Sequence, residues 1–479
     1  MRNWCFVFLA GLMATLPAAL PAQAPEKVPA ADSFIVGVGT HIAGGDRQLK
    51  ESLSVIKQVG ATAVRDDIQW EAIEKVRGQL EMPAALDTFV DEALKAGVQP
   101  LVILDYGNKF YDGGKKPRSP EAIEAFCRYA EFVVQHYKGR VKLYEVWNEW
   151  DLNIGGAETR DSAPELYALL MQSADDYANL VKAVYPRMKA VDPSIVVLGT
   201  GAPTAAGVRN GWLDRVLAQN TLPFMDAVSV HTYAFSETGR TRGPEAWAEW
   251  MEQLETDLQK YHEQRPVPFY ITETGWPTQV DRVGTSPDVA ATYLARMYLL
   301  ARTMPFLKGI WWYDFQDDGW KASEVEHNFG LVRPDFTPKP AYFVLADIAG
   351  LVSKASFIGR VETGDPDIWV LKFRDDIGRQ TWAVWSAHTD EDWQLTFKTT
   401  AESPAPVSIR EAGRKAIQRA WGSRGWADTR HDTPSVPNQL NIVVRGMPWL
   451  ITGDLDGVTL SEVKRRERSE ASRTNTLLQ

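Results

Sequence analysis

Cysteine is scarce in this chain of 479 residues, which contains only Cys5 and Cys127. Because Cys5 lies in an N-terminal segment that we expect to be cleaved off, the mature protein would keep Cys127 alone and would have no intramolecular disulfide. No spacing of cysteine and histidine residues matches a metal site. The sequence therefore predicts no disulfide, no metal and no other cofactor.

An excess of positive charge is also absent. Lys and Arg number 52 against 62 Asp and Glu, which gives a formal net charge of -10 and an isoelectric point of about 5.4. A protein with this balance has no broad positive field that would hold nucleic acid or an anionic membrane surface. We therefore expect no nucleic-acid partner.

Long apolar runs are missing apart from residues 4–20, which follow Arg2 and are interrupted by Pro17. This run is short for a transmembrane helix but typical of a signal peptide. We predict a signal peptide over residues 1–24 and a Pro/Ala linker over residues 25–33. The mature protein is then expected in the periplasm or outside the cell, without stable membrane insertion. An exported chain without disulfides suggests a bacterial source.

The chain does contain a regular alternation of two patterns. Apolar runs typical of β-strands alternate eight times with segments of helical periodicity between residues 34 and 351. This predicts an α/β fold, a closed parallel (β/α)8 TIM barrel, whose functional residues lie at the carboxyl ends of the strands. Short strands separated by turns then predict an antiparallel β-sandwich over residues 352–461. A solvated, disordered tail is predicted over residues 462–479.

One predicted strand ends in an unusual polar cluster. Residues 141–146 are rich in β-formers, and Trp147, Asn148, Glu149 and Trp150 follow them. Indole rings can stack on a pyranose, an amide can bind a ring hydroxyl, and a carboxyl group beside apolar rings can hold a proton near neutral pH. The cluster therefore favours one half of a glycosidase site, which needs a second carboxylate from elsewhere.

A second strand, predicted over residues 267–272, supplies that carboxylate. It ends in Glu273, and Gly275 and Trp276 follow. Each motif alone is moderately specific, whereas two carboxylates at two strand ends are typical of the paired acids of a glycosidase. The alternative, in which both Glu residues cap helices or pair with arginine in a loop, fits less well because the other strands also follow the barrel pattern.

With Asn148-Glu149 and Glu273 at these positions, the chain resembles the clan A retaining glycoside hydrolases, which are built on (β/α)8 barrels. In that clan Asn-Glu ends strand four and carries the acid/base, and a second Glu ends strand seven as the nucleophile. The resemblance implies that Glu149 is the acid/base and Glu273 the nucleophile. It also implies that Arg65, at the end of strand two, keeps the nucleophile ionised and that Asn148 holds the 2-hydroxyl of the sugar.

Further side chains at the predicted strand ends are candidates for binding the substrate. We expect Tyr233 to donate a second hydrogen bond to Glu273, and His231 to orient this network or to bind substrate. His41 and Asn108 could contact the sugar, although a role as satisfied polar residues under the barrel rim fits both equally well.

Several indoles are expected to form stacking faces for the sugar. Either Trp311 or Trp312, with Trp312 preferred, would lie under the reacting ring, and Trp276 would also contact the substrate. Together with Trp147, Trp150 and Trp320 they occupy predicted strand ends and the loops after them. Stacking faces spread over several loops suit a chain of sugars better than one terminal residue.

Residues 326–332 and 337–342 resemble the end of the barrel in glycoside hydrolase family 39 and its relatives. That group also carries a β-sandwich, and it includes β-xylosidases, α-L-iduronidases and bacterial endoglycosidases that cleave biofilm exopolysaccharide. We therefore expect an exported endoglycosidase with a polysaccharide or oligosaccharide substrate, in preference to an exo-acting β-xylosidase. A transglycosylase would use the same residues, and a non-hydrolytic polysaccharide-binding protein would lack one carboxylate.

Overall fold

The computed structural model describes residues 34–45, 48–152, 163–388, 391–419 and 436–466. The predicted signal peptide over 1–24 and the predicted linker over 25–33 lie outside these ranges, as do residues 467–479 of the predicted tail. All eight predicted barrel strands lie within them.

Eight short, mostly apolar strands form the barrel. They are β1 (Ile35–Gly39), β2 (Ala63–Gln69), β3 (Gln99–Asp105), β4 (Leu143–Val146), β5 (Val196–Leu198), β6 (Val228–His231), β7 (Phe269–Thr274) and β8 (Leu307–Trp312). They are ordered β5-β4-β3-β2-β1-β8-β7-β6, and hydrogen-bonded neighbours run parallel. A parallel bridge between Leu198 and Ala227 joins the two ends of the sheet. The predicted parallel barrel is confirmed.

Helices follow the strands around the barrel. They are α1 (Leu49–Gln58), α2 (Trp70–Ile73), α3 (Ala84–Ala96), α4 (Pro120–His136), α5 (Ala163–Val191), α6 (Ala205–Arg209), α7 (Trp212–Ala218), α8 (Pro244–Leu258), α9 (Pro287–Ala301) and α10 (Pro340–Lys354). Four of them start at proline, whose fixed φ suits the first helical position. Ser119 and Ser286 cap α4 and α9 through their side chains. Within the described ranges, none of these helices is long and apolar enough to cross a membrane.

The lower interior of the barrel is filled by inward-facing side chains. Leu101, Leu143, Leu198 and Trp311 belong to this cluster and are almost completely buried. Side chains alternate between the two faces of a strand, so every second residue points inward. A Cβ at Gly37 would overlap the ring of Trp311, so glycine at this position makes room for the indole.

After the barrel the chain forms antiparallel strands. They are β9 (Ser356–Arg360), β10 (Ile368–Arg374), β11 (Gln380–Ser386), β12 (Asp392–Thr399), β13 (Val407–Glu411), β14 (Ile417–Arg419), β15 (Gln439–Val444), β16 (Trp449–Gly453) and β17 (Val458–Arg466). One sheet has the order β14-β13-β16-β11-β10-β9 and the other β15-β12-β17. Apolar side chains from both sheets, such as Val370 and Leu395, form one core. The predicted β-sandwich is thus present.

Two predicted boundaries need correction. Strand β2 continues to Gln69, so Arg65 lies in the middle of the strand and not at its end. Strand β17 runs from Val458 to Arg466 and pairs with β12. The tail predicted from residue 462 therefore begins inside a strand, because its charged residues lie on an edge strand that can point them into solvent.

The six-stranded sheet also packs against the barrel. Leu371, Phe373 and Trp385 from that sheet belong to the same core cluster as the barrel helices. The indole Nε1 of Trp385 donates a 2.9 Å hydrogen bond to Glu245 at the start of α8. Glu245 also forms a buried, two-pronged ion pair with Arg296 of α9. This polar network joins two barrel helices to the sandwich.

We predict that Glu245→Ala destabilises the protein strongly. The substitution leaves the Arg296 guanidinium, which is 5% exposed, buried without its carboxylate, and breaking such a pair costs about 3–5 kcal/mol. Urea unfolding followed by intrinsic tryptophan fluorescence measures the loss. Glu249→Ala, on the same helix as Glu245, is the control, because the ion pair of Glu249 with Arg240 is exposed and should contribute little. Equal effects of the two substitutions would contradict the prediction.

Candidate active site

A cavity of about 350 Å³ lies at the carboxyl ends of the barrel strands, where the fold is expected to place functional groups. Residues from the ends of several strands and from the loops after them line it. They include Gly39, His41, Arg65, Asp67, Tyr106, Asn148, Glu149, Tyr233, Glu273, Tyr313 and Glu326. The cavity thus brings together six of the side chains singled out from the sequence, namely His41, Arg65, Asn148, Glu149, Tyr233 and Glu273.

The turn after β4 orients the first carboxylate. Trp147 and Glu149 have φ angles of 74° and 46°, in the left-handed region that residues with a Cβ seldom adopt. The indoles of Trp147 and Trp150 are buried and pack edge to face with ring centroids 4.7 Å apart. The turn therefore buries both indoles and leaves Asn148 and Glu149 at the cavity. Strain of this kind is concentrated at functional sites.

Glu149 and Glu273 face each other beside one histidine. An oxygen of each carboxylate and a ring nitrogen of His231 all lie within 4.8 Å of one another. Nδ1 of His231 lies 2.9 Å from Oε1 of Glu149 and 3.4 Å from Oε2 of Glu273. Burial alone would lower the pKa of His231, but the charge of Glu273 and the hydrogen bond with Glu149 raise it above its ordinary value. A buried imidazole thus links the two acids.

Arg65 connects three strands at the floor of the cavity. Its Nε donates to Glu145 of β4 at 2.7 Å, its Nη1 to Glu273 of β7 at 2.5 Å, and its Nη2 to Oδ1 of Asn148 at 2.8 Å. Only 4% of the residue is exposed. Because burial strengthens each of these charged contacts, the guanidinium holds the nucleophile candidate and the neighbouring amide in fixed positions.

The surroundings of Glu273 favour its charged form. Burial, the largest single effect, would raise the pKa of Glu273. The positive charges of His231 and Arg65 and a 2.9 Å hydrogen bond from the Tyr233 hydroxyl outweigh it, so the pKa of Glu273 lies below its ordinary value. A carboxylate that stays ionised while buried is suited to nucleophilic attack.

His41 lies at the cavity, as expected for a substrate contact. Its side chain is 41% exposed, and Nε2 lies 3.3 Å from the hydroxyl of Tyr313. Asn108, by contrast, does not line the cavity. It is fully buried, donates to the carbonyl of Glu74 at 2.9 Å and accepts from the backbone N–H of Phe110 at 3.0 Å. The alternative role of a satisfied polar residue under the rim therefore fits Asn108.

The three tryptophans proposed as substrate contacts are not at the cavity. Trp276, Trp311 and Trp312 are at most 1% exposed and are absent from its lining. Trp311 points into the barrel floor, and Trp312 points outward and packs near Trp276, with ring centroids 6.1 Å apart. The predicted indole floor under the reacting sugar is therefore wrong.

Tyr313 occupies the place that was assigned to an indole. A Cβ at Gly39 would lie 3.1 Å from the Tyr313 ring, which therefore covers the glycine at the end of β1. The ring also packs edge to face on Phe329, with centroids 5.2 Å apart. Alternation along β8 could have found it, because Tyr313 lies two residues after the inward-facing Trp311.

Asp67, Tyr106 and Glu326 also line the cavity and were not predicted from the sequence. Asp67 lies two residues beyond Arg65 on β2, which was predicted to end too early. Tyr106 follows β3, and its hydroxyl accepts a 3.3 Å hydrogen bond from Nδ2 of Asn148. Glu326 lies in a 3-10 turn, Glu326–Asn328, of the loop after β8, where no local signal marks it as functional.

Comparison with known proteins places these features in a family context. Residues 29–310, more than half of the chain, match the family model described as cellulase (glycosyl hydrolase family 5). Raucaffricine-O-beta-D-glucosidase from Rauvolfia serpentina is 27% identical over 124 residues, which are 24% of this chain and 23% of the glucosidase. The chain therefore matches less than a quarter of the length of that curated relative.

Solved structures share the fold. A family 39 glycoside hydrolase from the gut symbiont Bacteroides cellulosilyticus WH2 aligns with a TM-score of 0.68 at 24% identity, over 87% of this chain and 80% of that one. A glucosidase from Croceicoccus marinus aligns with a TM-score of 0.59 at 14% identity, over 90% of this chain and 97% of that one. The resemblance to clan A barrel glycosidases, expected from the two glutamate motifs, is confirmed.

We predict that Tyr233→Phe moves the acidic limb of the kcat/KM profile to higher pH. The substitution removes a hydrogen bond that lowers the pKa of Glu273, so the nucleophile will take up a proton at a higher pH than in the parent. Initial rates on an aryl glycoside over a range of pH measure the limb.

Tyr313→Phe is the matched control for this experiment. The Tyr313 hydroxyl contacts His41 and Glu326 and not Glu273, so its loss should leave the acidic limb nearly in place. An unmoved limb in Tyr233→Phe, or an equal movement in both variants, would show that the Tyr233 hydroxyl does not control the charge of Glu273.

Proposed function

Because the chain belongs to the cellulase family, glycosyl hydrolase family 5, and is therefore a glycoside hydrolase, we propose that it cleaves O-glycosidic bonds with retention of configuration. The observation that carries this proposal is the distance of at most 4.8 Å between an oxygen of Glu149 and one of Glu273. Retaining enzymes have carboxyl groups about 5–5.5 Å apart, whereas inverting enzymes need about 6.5–9.5 Å to admit a water molecule.

The surroundings of the two acids support separate roles. Glu273, which accepts hydrogen bonds from Arg65 and Tyr233, attacks the anomeric carbon as a carboxylate. Glu149 donates its proton to the departing glycosidic oxygen, and the covalent glycosyl-enzyme forms. Glu149 then removes a proton from water, which attacks the same carbon and releases Glu273.

Asn148 is placed to bind the sugar beside the nucleophile. Its Oδ1 accepts from Arg65, so its amide nitrogen is turned toward Tyr106 and the cavity. A donor at this position can bind the 2-hydroxyl, where contacts strengthen toward the oxocarbenium-like transition state. His231 contacts both acids and lies outside the cavity lining, which supports an orienting role.

We further propose that the enzyme is exported and cleaves a bacterial exopolysaccharide internally. The predicted signal peptide supports export. Tyr106 and Trp320 are 41% and 66% exposed and lie in the loops after β3 and β8, so two separated aromatic faces are available to a chain of sugars. Trp147, Trp150 and Trp276 give no such support, because their indoles are buried.

The burial of these three indoles favours the second candidate function, exo-cleavage of a terminal sugar in the manner of a β-xylosidase. Without their faces the cavity offers fewer stacking surfaces for sugars beyond the reacting one. The exposed Tyr106 and Trp320 are the features on which internal cleavage depends.

We expect Glu273→Gln to abolish turnover while the fold stays intact, because the amide is nearly isosteric but cannot attack. Glu149→Gln should retain activity on a nitrophenyl glycoside, whose leaving group needs no proton. On an alkyl or oligosaccharide leaving group its activity should fall by about 10²–10⁴-fold. Steady-state rates on the two substrate classes measure this difference. Equal losses of activity on both substrate classes would show that Glu149 is not the acid that protonates the leaving group.

We expect mixed-length oligosaccharides to appear early when the enzyme digests an exopolysaccharide. Trp320→Ala should then lower the rate on polymer more than the rate on an aryl monoglycoside. Chromatography of the early products checks the first expectation, and the ratio of the two rates checks the second. Early release of monosaccharide alone, with rapid turnover of an aryl xyloside, would establish the exo-acting alternative.

A further inference from the structure

The cavity contains more negative charge than retaining hydrolysis requires. In addition to Glu149 and Glu273, the carboxylates of Asp67 and Glu326 line it. Among the described lining residues, the basic side chains are Arg65 and His41. Arg65 is shared between Glu145 and Glu273, and Nε2 of His41 lies 3.6 Å from Oδ2 of Asp314. Both basic side chains thus already have protein carboxylates as partners.

A further carboxylate lies behind the cavity. Asp105 ends β3, two residues after the lining residue Ile103, and is 0% exposed. Within the described part of the chain, neither of its carboxylate oxygens has a hydrogen-bond partner. In the register of β2 and β3 it lies opposite Gln69, two residues along the strands from the pair formed by Asp67 and Ile103 and therefore on the same face of the sheet. A buried carboxyl group without any donor is unusual and requires a physical explanation.

The acidic groups are short of a positive partner. Burial raises the pKa of Asp105 well above its ordinary value, and the charge of Asp67 raises it further. Burial also raises the pKa of Asp67, although Arg65 and His41 favour its charged form. A cation at the cavity wall beside Asp67 would reverse this effect and would gain charge-assisted hydrogen bonds.

We propose that the substrate carries this cation, so that the cavity binds an unacetylated amino-sugar residue whose ammonium group lies against Asp67. This inference rests on the proposed glycosidase function. An ammonium group has three donors, and the carboxylate of Asp67 at the cavity wall can accept one of them, while Glu326 adds a second acidic group to the same lining.

A uronic acid fits the same cavity poorly. Its carboxylate would meet Asp67, Glu326 and the catalytic pair, and the described lining offers it no cation that lacks a carboxylate partner. A neutral sugar avoids repulsion but leaves the acidic groups without a counter-charge. The affinity of the cavity for sugars should therefore follow their charge, so that cationic sugars bind most tightly, neutral sugars less tightly and anionic sugars most weakly.

Binding of free monosaccharides to the wild-type full chain tests this order without hydrolysis. The gluco, galacto and manno series are each measured as the amino sugar, the neutral sugar and the uronic acid, by calorimetry at about pH 6, where the amine is protonated. Comparison within a series cancels the unknown ring stereochemistry. In at least one series we expect the amino sugar to bind about tenfold more tightly than the neutral sugar. In the same series the uronic acid should bind most weakly.

Two variants locate the effect. Asp67→Asn should abolish the preference for the amino sugar. Glu263→Gln removes one negative charge at a side chain that is 85% exposed and does not line the cavity, and it should leave the preference unchanged. If the wild type prefers no amino sugar in any series, or binds none of them, or if Asp67→Asn retains the preference, the inference is overturned.

Hydrolysis of aryl glycosides by the wild type separates this inference from the proposed function. Turnover without a preference for amino sugars would defeat the charge ranking alone. A preference for amino sugars without turnover of any glycoside would defeat the proposed hydrolysis and leave the binding inference in place.

Discussion

The buried guanidinium of Arg65 is the interaction on which the site depends. It joins Glu145 of β4, Asn148 after β4 and Glu273 of β7, so three parts of the barrel are held at fixed distances by one cation. Glu145 is in turn held by the hydroxyl of Thr272 at 2.8 Å. Without Arg65 two buried carboxylates would lose their counter-charge, and such a loss is costly in a protein interior. The same contact that stabilises the barrel therefore keeps the nucleophile candidate ionised and in place.

Periodicity was sufficient to predict the barrel, the sandwich and the cluster around Glu149 and Glu273. Strand and helix patterns are local, and parallel strands bring their carboxyl ends to one edge, so the positions of Arg65, His231 and Tyr233 follow from topology. The face of a strand to which each side chain points was harder to predict. In β8, Trp311, Trp312 and Tyr313 are all bulky and apolar in part. Alternation places Trp311 and Tyr313 on one face, but the packing of these two rings against Gly37 and Gly39 is needed to show that this face points into the barrel.

Other features depend on contacts distant in sequence. The Asp66 carboxylate accepts from the backbone N–H groups of Ile42 and Ala43, which ties the loop after β1 to β2, and neither segment indicates this contact by itself. Glu326 reaches the cavity because its loop folds back over the barrel end. The indoles at 147, 150 and 276 were expected to bind sugar, yet they stabilise the loops that carry the acids. Aromatic residues near a carbohydrate site thus need not contact carbohydrate.

The proton NMR spectrum of the first product formed from a glycoside of known anomeric configuration tests the central claim most directly. If Glu273 forms a covalent intermediate and Glu149 acts first as the acid and then as the base, the first-formed anomer has the configuration of the substrate, and the other anomer grows in later by mutarotation. First appearance of the opposite anomer would mean that a water molecule attacks directly, and it would contradict the roles assigned to the two acids and to Arg65.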